Sequence, residues 1–207
     1  MKITPQAISL VLALVVVVAS VAVMFGWILD ISVLKSILPN WVAMKFITAL
    51  SFLFSAFLIM FLVKKEKGEV DRFFILIISF ILLLLMVTFI ISLFVGISTG
   101  IENLFVKEET EAVGTAVPGV PAVPTIISFI LVALAGLFYL FNPKNPKGIF
   151  SLGALIGLIG FFAFMGYLGD IPSMYYSFPG YTSMAFHTSI LFTLLGVSLV
   201  LLKEESK

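Results

Sequence analysis

The sequence predicts an all-α integral membrane protein: a six-transmembrane-helix bundle made from three parallel two-helix repeats, in one domain covering residues 1–207. Three observations carry that expectation. The first is composition. Of 207 residues, 61% are hydrophobic and 11% charged, with a mean hydropathy of +1.24. A soluble domain is about 45–50% apolar and about 25% charged. The second is a set of six apolar runs, each near the ~20 residues that cross a bilayer as a helix. The third is a segment that recurs along the chain.

The runs are residues 7–29, 41–63, 73–97, 125–141, 148–169 and 182–202, the fourth being the shortest. Runs of this length specify helices, because barrel strands would alternate in polarity over about ten residues. In the first run Ser20-Val21-Ala22 has the small-x-small form of a leader cleavage site. The apolar run continues to Leu29, however, so a retained span is expected. The connections carry the charges and the helix breakers: DISVLKSILPN, KKEKGEVDR, a long segment over 98–124, NPKNPK and DIPSMYYSFPGY.

Lys2, Lys64, Lys65, Lys67, Arg72, Lys144, Lys147, Lys203 and Lys207 fall on one side, and only Lys35, Lys45 and Lys107 on the other. The positive-inside rule then places both termini in the cytoplasm of a cell-membrane protein. The acidic stretch Glu108, Glu109 and Glu111 is expected outside. Trp27, Trp41, Tyr167, Tyr175, Tyr176 and Tyr181 lie near the outer ends, as an interfacial aromatic belt would.

At an offset of 140 positions, GWILDISVLKSILPNWVAMKFITALSF lies over GYLGDIPSMYYSFPGYTSMAFHTSILF without a gap. The identities are Gly26/Gly166, Asp30/Asp170, Ile31/Ile171, Pro39/Pro179, Met44/Met184, Phe46/Phe186, Thr48/Thr188 and Phe52/Phe192. A weaker third copy lies between them, where Pro118-Gly119 matches Pro179-Gly180 and Pro121, Thr125, Phe129 keep the spacing of Met, Thr, Phe. The unit is an up-helix, an external loop and a down-helix. Parallel repeats about an axis along the membrane normal are an established architecture. Residues at i, i+4 and i+8 share one helix face, so the three return helices are expected to turn equivalent faces to a common interior.

These motifs carry a resemblance. A Gly-aromatic helix end, a short loop, Pro-Gly and then Met-x-x-(Asn/His)-Thr-(Ala/Ser)-x-x-Phe resembles the multi-pass membrane sensor regions of bacterial and archaeal histidine kinases and diguanylate cyclases. The residues concerned are Pro179, Gly180, Met184, His187, Thr188, Ser189 and Phe192, with Pro39, Met44, Thr48, Ala49 and Phe52 in the first copy. GIENLF followed by AVPG, within 100–119, is similar to that family's middle loop. The resemblance implies a sensor; the chain departs from the family in ending at KEESK with no kinase, cyclase or coiled-coil transmitter, so it is expected to act through another membrane protein.

Six polar residues near the outer ends are candidate ligand contacts: Asp30, Lys45, Thr48, Asp170, His187 and Thr188. Each has a plainer reading. Asp30 and Asp170 favour turn starts and can organise their loops. Lys45 either balances Asp30 or, more simply, snorkels to the interface. His187, the only histidine, either titrates or hydrogen-bonds across a helix interface. Gly153, Gly157 and Gly160 form a small-residue face that packs within the bundle or between copies. Pro118, Pro121 and Pro124 stiffen the long external segment, as a partner dock or as a lid.

No cysteine is present, which excludes disulfides and Cys-ligated zinc or iron–sulfur centres. One histidine excludes bis-histidine haem and multi-histidine metal sites. A net charge of +1 argues against nucleic acid. No catalytic constellation or phosphate loop is visible, so no enzyme activity and no cofactor are expected. The partners expected are the lipid bilayer and a membrane protein or a second copy of the chain. Three functions fit: a sensor-like ligand-binding module acting through a partner, an auxiliary subunit of a larger membrane complex, or a small-solute or ion transporter.

Overall fold

The computed structural model describes residues 4–64, 68–97, 99–108, 112–143 and 145–202. Lys2, Lys65, Lys67, Ser98, Glu109, Glu111, Lys144, Lys203 and Lys207, which entered the charge and loop assignments, lie outside the described residues. The described chain is all-helical: α1 (Pro5–Ile28), the single turn α2 (Ser32–Lys35), α3 (Phe46–Val63), α4 (Glu69–Val95), α5 (Val123–Phe141), α6 (Pro146–Leu168) and α7 (Phe186–Leu201). Five of these are long and apolar enough to cross a membrane. The sixth long helix, α7, is apolar but only 16 residues long. The shortest apolar run of the sequence, 125–141, therefore becomes a full-length helix, while 182–202 loses its first turn to extended backbone.

Local chemistry sets the ends. Thr4 caps α1 by accepting from the Ala7 N–H at 3.3 Å, with Pro5 in the first turn. Glu69 and Asp71 place negative charge in the first turn of α4. That helix stops at Gly96, whose φ of 69° only glycine adopts freely. Inside the apolar helices the hydroxyls of Ser20, Ser51, Ser55, Ser128 and Thr193 bond back to the carbonyl four residues earlier. No hydroxyl treated this way is left unsatisfied in an apolar surround.

Helices α3, α5 and α7 form the centre, and α1, α4 and α6 lie outside them. Helix α1 packs on α3 and α7, α4 on α5 and α3, and α6 on α7 and α5. Each outer helix thus covers one seam between two inner ones. Phe52, Phe129 and Phe192, one from each inner helix, meet in a triangle with ring centroids 4.6–4.8 Å apart. All three are fully buried. Edge-on and tilted rings at this spacing add attraction beyond the burial of their area.

Gly153 and Gly160 face α7. A methyl group at Gly153 would sit 2.7 Å from Leu199 Cβ, and one at Gly160 would sit 2.6 Å from the Ser189 carbonyl oxygen. Gly157 also lies against α7, beside Gly196. The small-residue face of α6 is used for packing inside this chain.

Candidate functional site

Two loops at one end of the bundle share their backbone design. Helix α1 ends with Asp30 at φ 55° and α6 with Asp170 at φ 51°, both left-handed. The Ile31 N–H returns to the Gly26 carbonyl and the Ile171 N–H to the Gly166 carbonyl, each at 2.8 Å. This is a Schellman closure with aspartate where glycine is usual. Glycine is needed instead at 26 and 166. A Cβ there would lie 2.6 Å from Leu34 Cβ and from Met174 Cβ respectively. Further along, the Met44 N–H bonds the Lys35 carbonyl at 2.9 Å, and the Met184 N–H bonds the Tyr175 carbonyl at 3.0 Å. The Trp27 indole donates to the Met44 carbonyl at 2.7 Å and the Tyr167 hydroxyl to that of Met184 at 2.9 Å. Two aromatic residues read as interfacial anchors are thereby fasteners between a helix and the extended residues that lead into the next.

Asp30 and Asp170 are exposed. Asp30 forms an ion pair with Lys35 at 2.6 Å, which holds its carboxyl below the usual aspartate range. It is not the partner of Lys45. Lys45 also does not snorkel. It precedes α3 as its N-cap, is 4% exposed, and forms an ion pair with Glu108 and a hydrogen bond to Thr115. Glu108, equally enclosed, accepts from the Gly119 N–H through its other oxygen at 2.6 Å. Burying either charge alone would be costly, and the pair with its added hydrogen bonds offsets that cost. The long segment between α4 and α5 is thus folded back onto the head of α3. Its neighbour contacts agree: the Ser183 N–H donates to the Gly114 carbonyl at 2.8 Å, and the Ala116 N–H to Thr182 Oγ1 at 3.2 Å.

Beside this ion pair, where α4 leaves the bundle, lies a cleft of ≈380 Å³. Leu93, Ile97, Val117 and Pro118 supply apolar walls, and Glu102, Asn103, Lys107 and Glu108 the polar ones. Glu102 is itself buried and accepts from Thr99 Oγ1 at 2.9 Å. The size falls within the ~300–1,000 Å³ of small-molecule pockets, and the mixture of walls is theirs too. The segments GIENLF and AVPG, on which the middle-loop resemblance rests, contribute Glu102, Asn103, Val117 and Pro118 to this lining, and the charged stretch after GIENLF contributes Lys107 and Glu108. The burial of Glu102 and Glu108 is a product of tertiary folding, which no local pattern marks.

Thr48 and Thr188 come together with Thr125 around a separate cavity of ≈10 Å³ between the three inner helices, which Lys45 also lines. His187, next to Thr188, is partly buried, and its Nδ1 has no hydrogen-bond partner among the described residues. The cross-helix bond expected of it is absent there. The six candidate residues therefore separate. Asp30 and Asp170 stay on the loops, Thr48 and Thr188 meet on the bundle axis, and Lys45 joins the axis to the segment between α4 and α5. Among the described residues no group of three acidic, histidine or cysteine side chains is placed to hold a metal ion. The chain matches no protein-family model, no curated protein and no solved structure.

Proposed function

We propose that this is a non-enzymatic six-span protein of the cell membrane that binds a small ligand at its outer face and acts through a membrane partner. In this reading α7 is the sixth span, both termini are cytoplasmic, and the loops of α1–α3 and α6–α7 are copies of one unit. The matched turns at Asp30 and Asp170 support the last point. So do the three return helices, which all start from extended residues with closely similar ψ: Lys45 at 147°, Ala122 at 147° and Ala185 at 153°.

The observation that carries the functional reading is the double position of Glu108. One carboxylate lines the cleft and also holds Lys45 at the head of α3. A ligand that donates a hydrogen bond to Glu108, or places a positive charge beside it, weakens its hold on Lys45, and the change reaches an inner helix directly. The lining favours a ligand with a cationic or donor group and an apolar remainder. Transport gains no support from the axis, which the phenylalanine triangle closes with apolar packing.

The test is native mass spectrometry of the protein purified in mild detergent, beside a Val117→Trp variant that fills the cleft. A small molecule retained by the wild type and lost from the variant, at unchanged melting temperature, supports the reading. A wild type that carries only a stable set of membrane subunits, unaffected by Val117→Trp, points to an auxiliary subunit instead.

A further inference from the structure

The ≈10 Å³ cavity on the axis has an unusual lining. Thr48, Thr125 and Thr188 are each 2% exposed, and all three face it. None of their hydroxyls has a hydrogen-bond partner among the described residues, in contrast to the back-bonded Ser20, Ser51, Ser55, Ser128 and Thr193. All three share a reason. A threonine inside a helix can bond back to the carbonyl four residues earlier. Thr48, Thr125 and Thr188 are each the third residue of their helix, so the residue four earlier (Met44, Pro121 or Met184) lies before the N-cap, outside the helix.

Three inward hydroxyls around so small a space match the needs of one molecule. A buried water requires about 10–15 Å³ and two to four polar partners. The heads of α3, α5 and α7 also converge here, with no side chain capping any of them. From this we infer that the axial cavity is a binding site for a single ordered water, held by Thr48, Thr125 and Thr188, which joins the three inner helices above the Phe52–Phe129–Phe192 triangle. The inference is independent of what the outer cleft binds. It also gives the three threonines one shared role, because each acts through the same molecule.

The sign of a stability change tests it. Valine has the shape of threonine without the hydroxyl. With a bound water, each of Thr48→Val, Thr125→Val and Thr188→Val leaves that water one partner short and lowers the melting temperature. The triple variant, which expels the water, loses less than the sum of the three single losses. In a dry cavity each hydroxyl is unpaired already, so every single valine variant raises the melting temperature, and that result overturns the inference. A crystal structure resolving waters should place one density peak within hydrogen-bond distance of all three Oγ1 atoms. An empty cavity, or an anomalous peak there in crystals grown with bromide, overturns it as well.

Discussion

Asp30 and Asp170, 140 positions apart, occupy the same left-handed turn at the C-terminal ends of α1 and α6, with φ of 55° and 51°. Each is followed by an isoleucine N–H that closes on a glycine carbonyl at 2.8 Å. Both carboxylates are exposed and neither lines the cleft or the axial cavity, and only Asp30 has an ion-pair partner, Lys35, so the backbone angle is the property the two positions share. A left-handed residue with a β-carbon carries a steric cost of roughly 1–2 kcal/mol, which asparagine and aspartate bear best. Asp30→Gly and Asp170→Gly are expected to melt at or above the wild-type temperature. Asp30→Val and Asp170→Val should be destabilised by about that cost or more, as thermal melts in detergent would show.

Gly26 and Gly166 should behave as a pair. A methyl group at either meets the Cβ of Leu34 or Met174, and overpacking of this kind costs about 1–3 kcal/mol. Gly26→Ala and Gly166→Ala are expected to lower the melting temperature by similar amounts. Gly68→Ala is the control, since a Cβ there meets nothing within 4 Å.

The aromatic fasteners give a third prediction. Trp27→Phe and Tyr167→Phe keep a ring and remove one donor each, at a net cost of about 0.5–1.5 kcal/mol. Losses of that size for both variants, adding in the double variant, would match their placement on separate loops. A Tyr167→Phe variant with unchanged stability would mean that the Met184 carbonyl does not need its donor.

How far the sequence reveals this design depends on the range of the interactions. The turn at Asp30 and Asp170 is local, and an ungapped match of 27 residues exposes it. The equivalent faces of Thr48 and Thr188 follow from helical period together with that match, and that of Thr125 from the weaker third copy. Lys45 is different. By position it reads as a residue able to reach the interface, and by proximity as a partner for Asp30. Lys35 takes Asp30 instead, being one short turn away, and Glu108 reaches Lys45 across 63 positions. Nothing in a local pattern marks Glu108, because a glutamate in a run of charged residues normally faces water. The small-residue face at Gly153, Gly157 and Gly160 is visible as a motif, but its partner helix is a tertiary fact.

The phenylalanine triangle is the fourth point to test. Phe129→Ala removes one of three fully buried rings, a change that typically costs about 3–5 kcal/mol. Phe129→Leu, which refills most of the volume, should recover a large part of that loss. If Phe129→Ala melts like the wild type, the three inner helices do not meet as described.

The account rests most heavily on the hold of Glu108 on Lys45, and a double-mutant cycle measures it directly. Leaving one member of a buried ion pair uncompensated costs about 3–5 kcal/mol, whereas replacing both with apolar residues is often neutral. Lys45→Met and Glu108→Met should each lower the melting temperature strongly and should also expose amides of residues 112–120 to hydrogen exchange. The double variant should regain most of the lost stability. If the two single losses are small, or simply add in the double variant, the external segment is not fastened to α3 through this pair and the proposed route from the outer cleft to the inner helices fails.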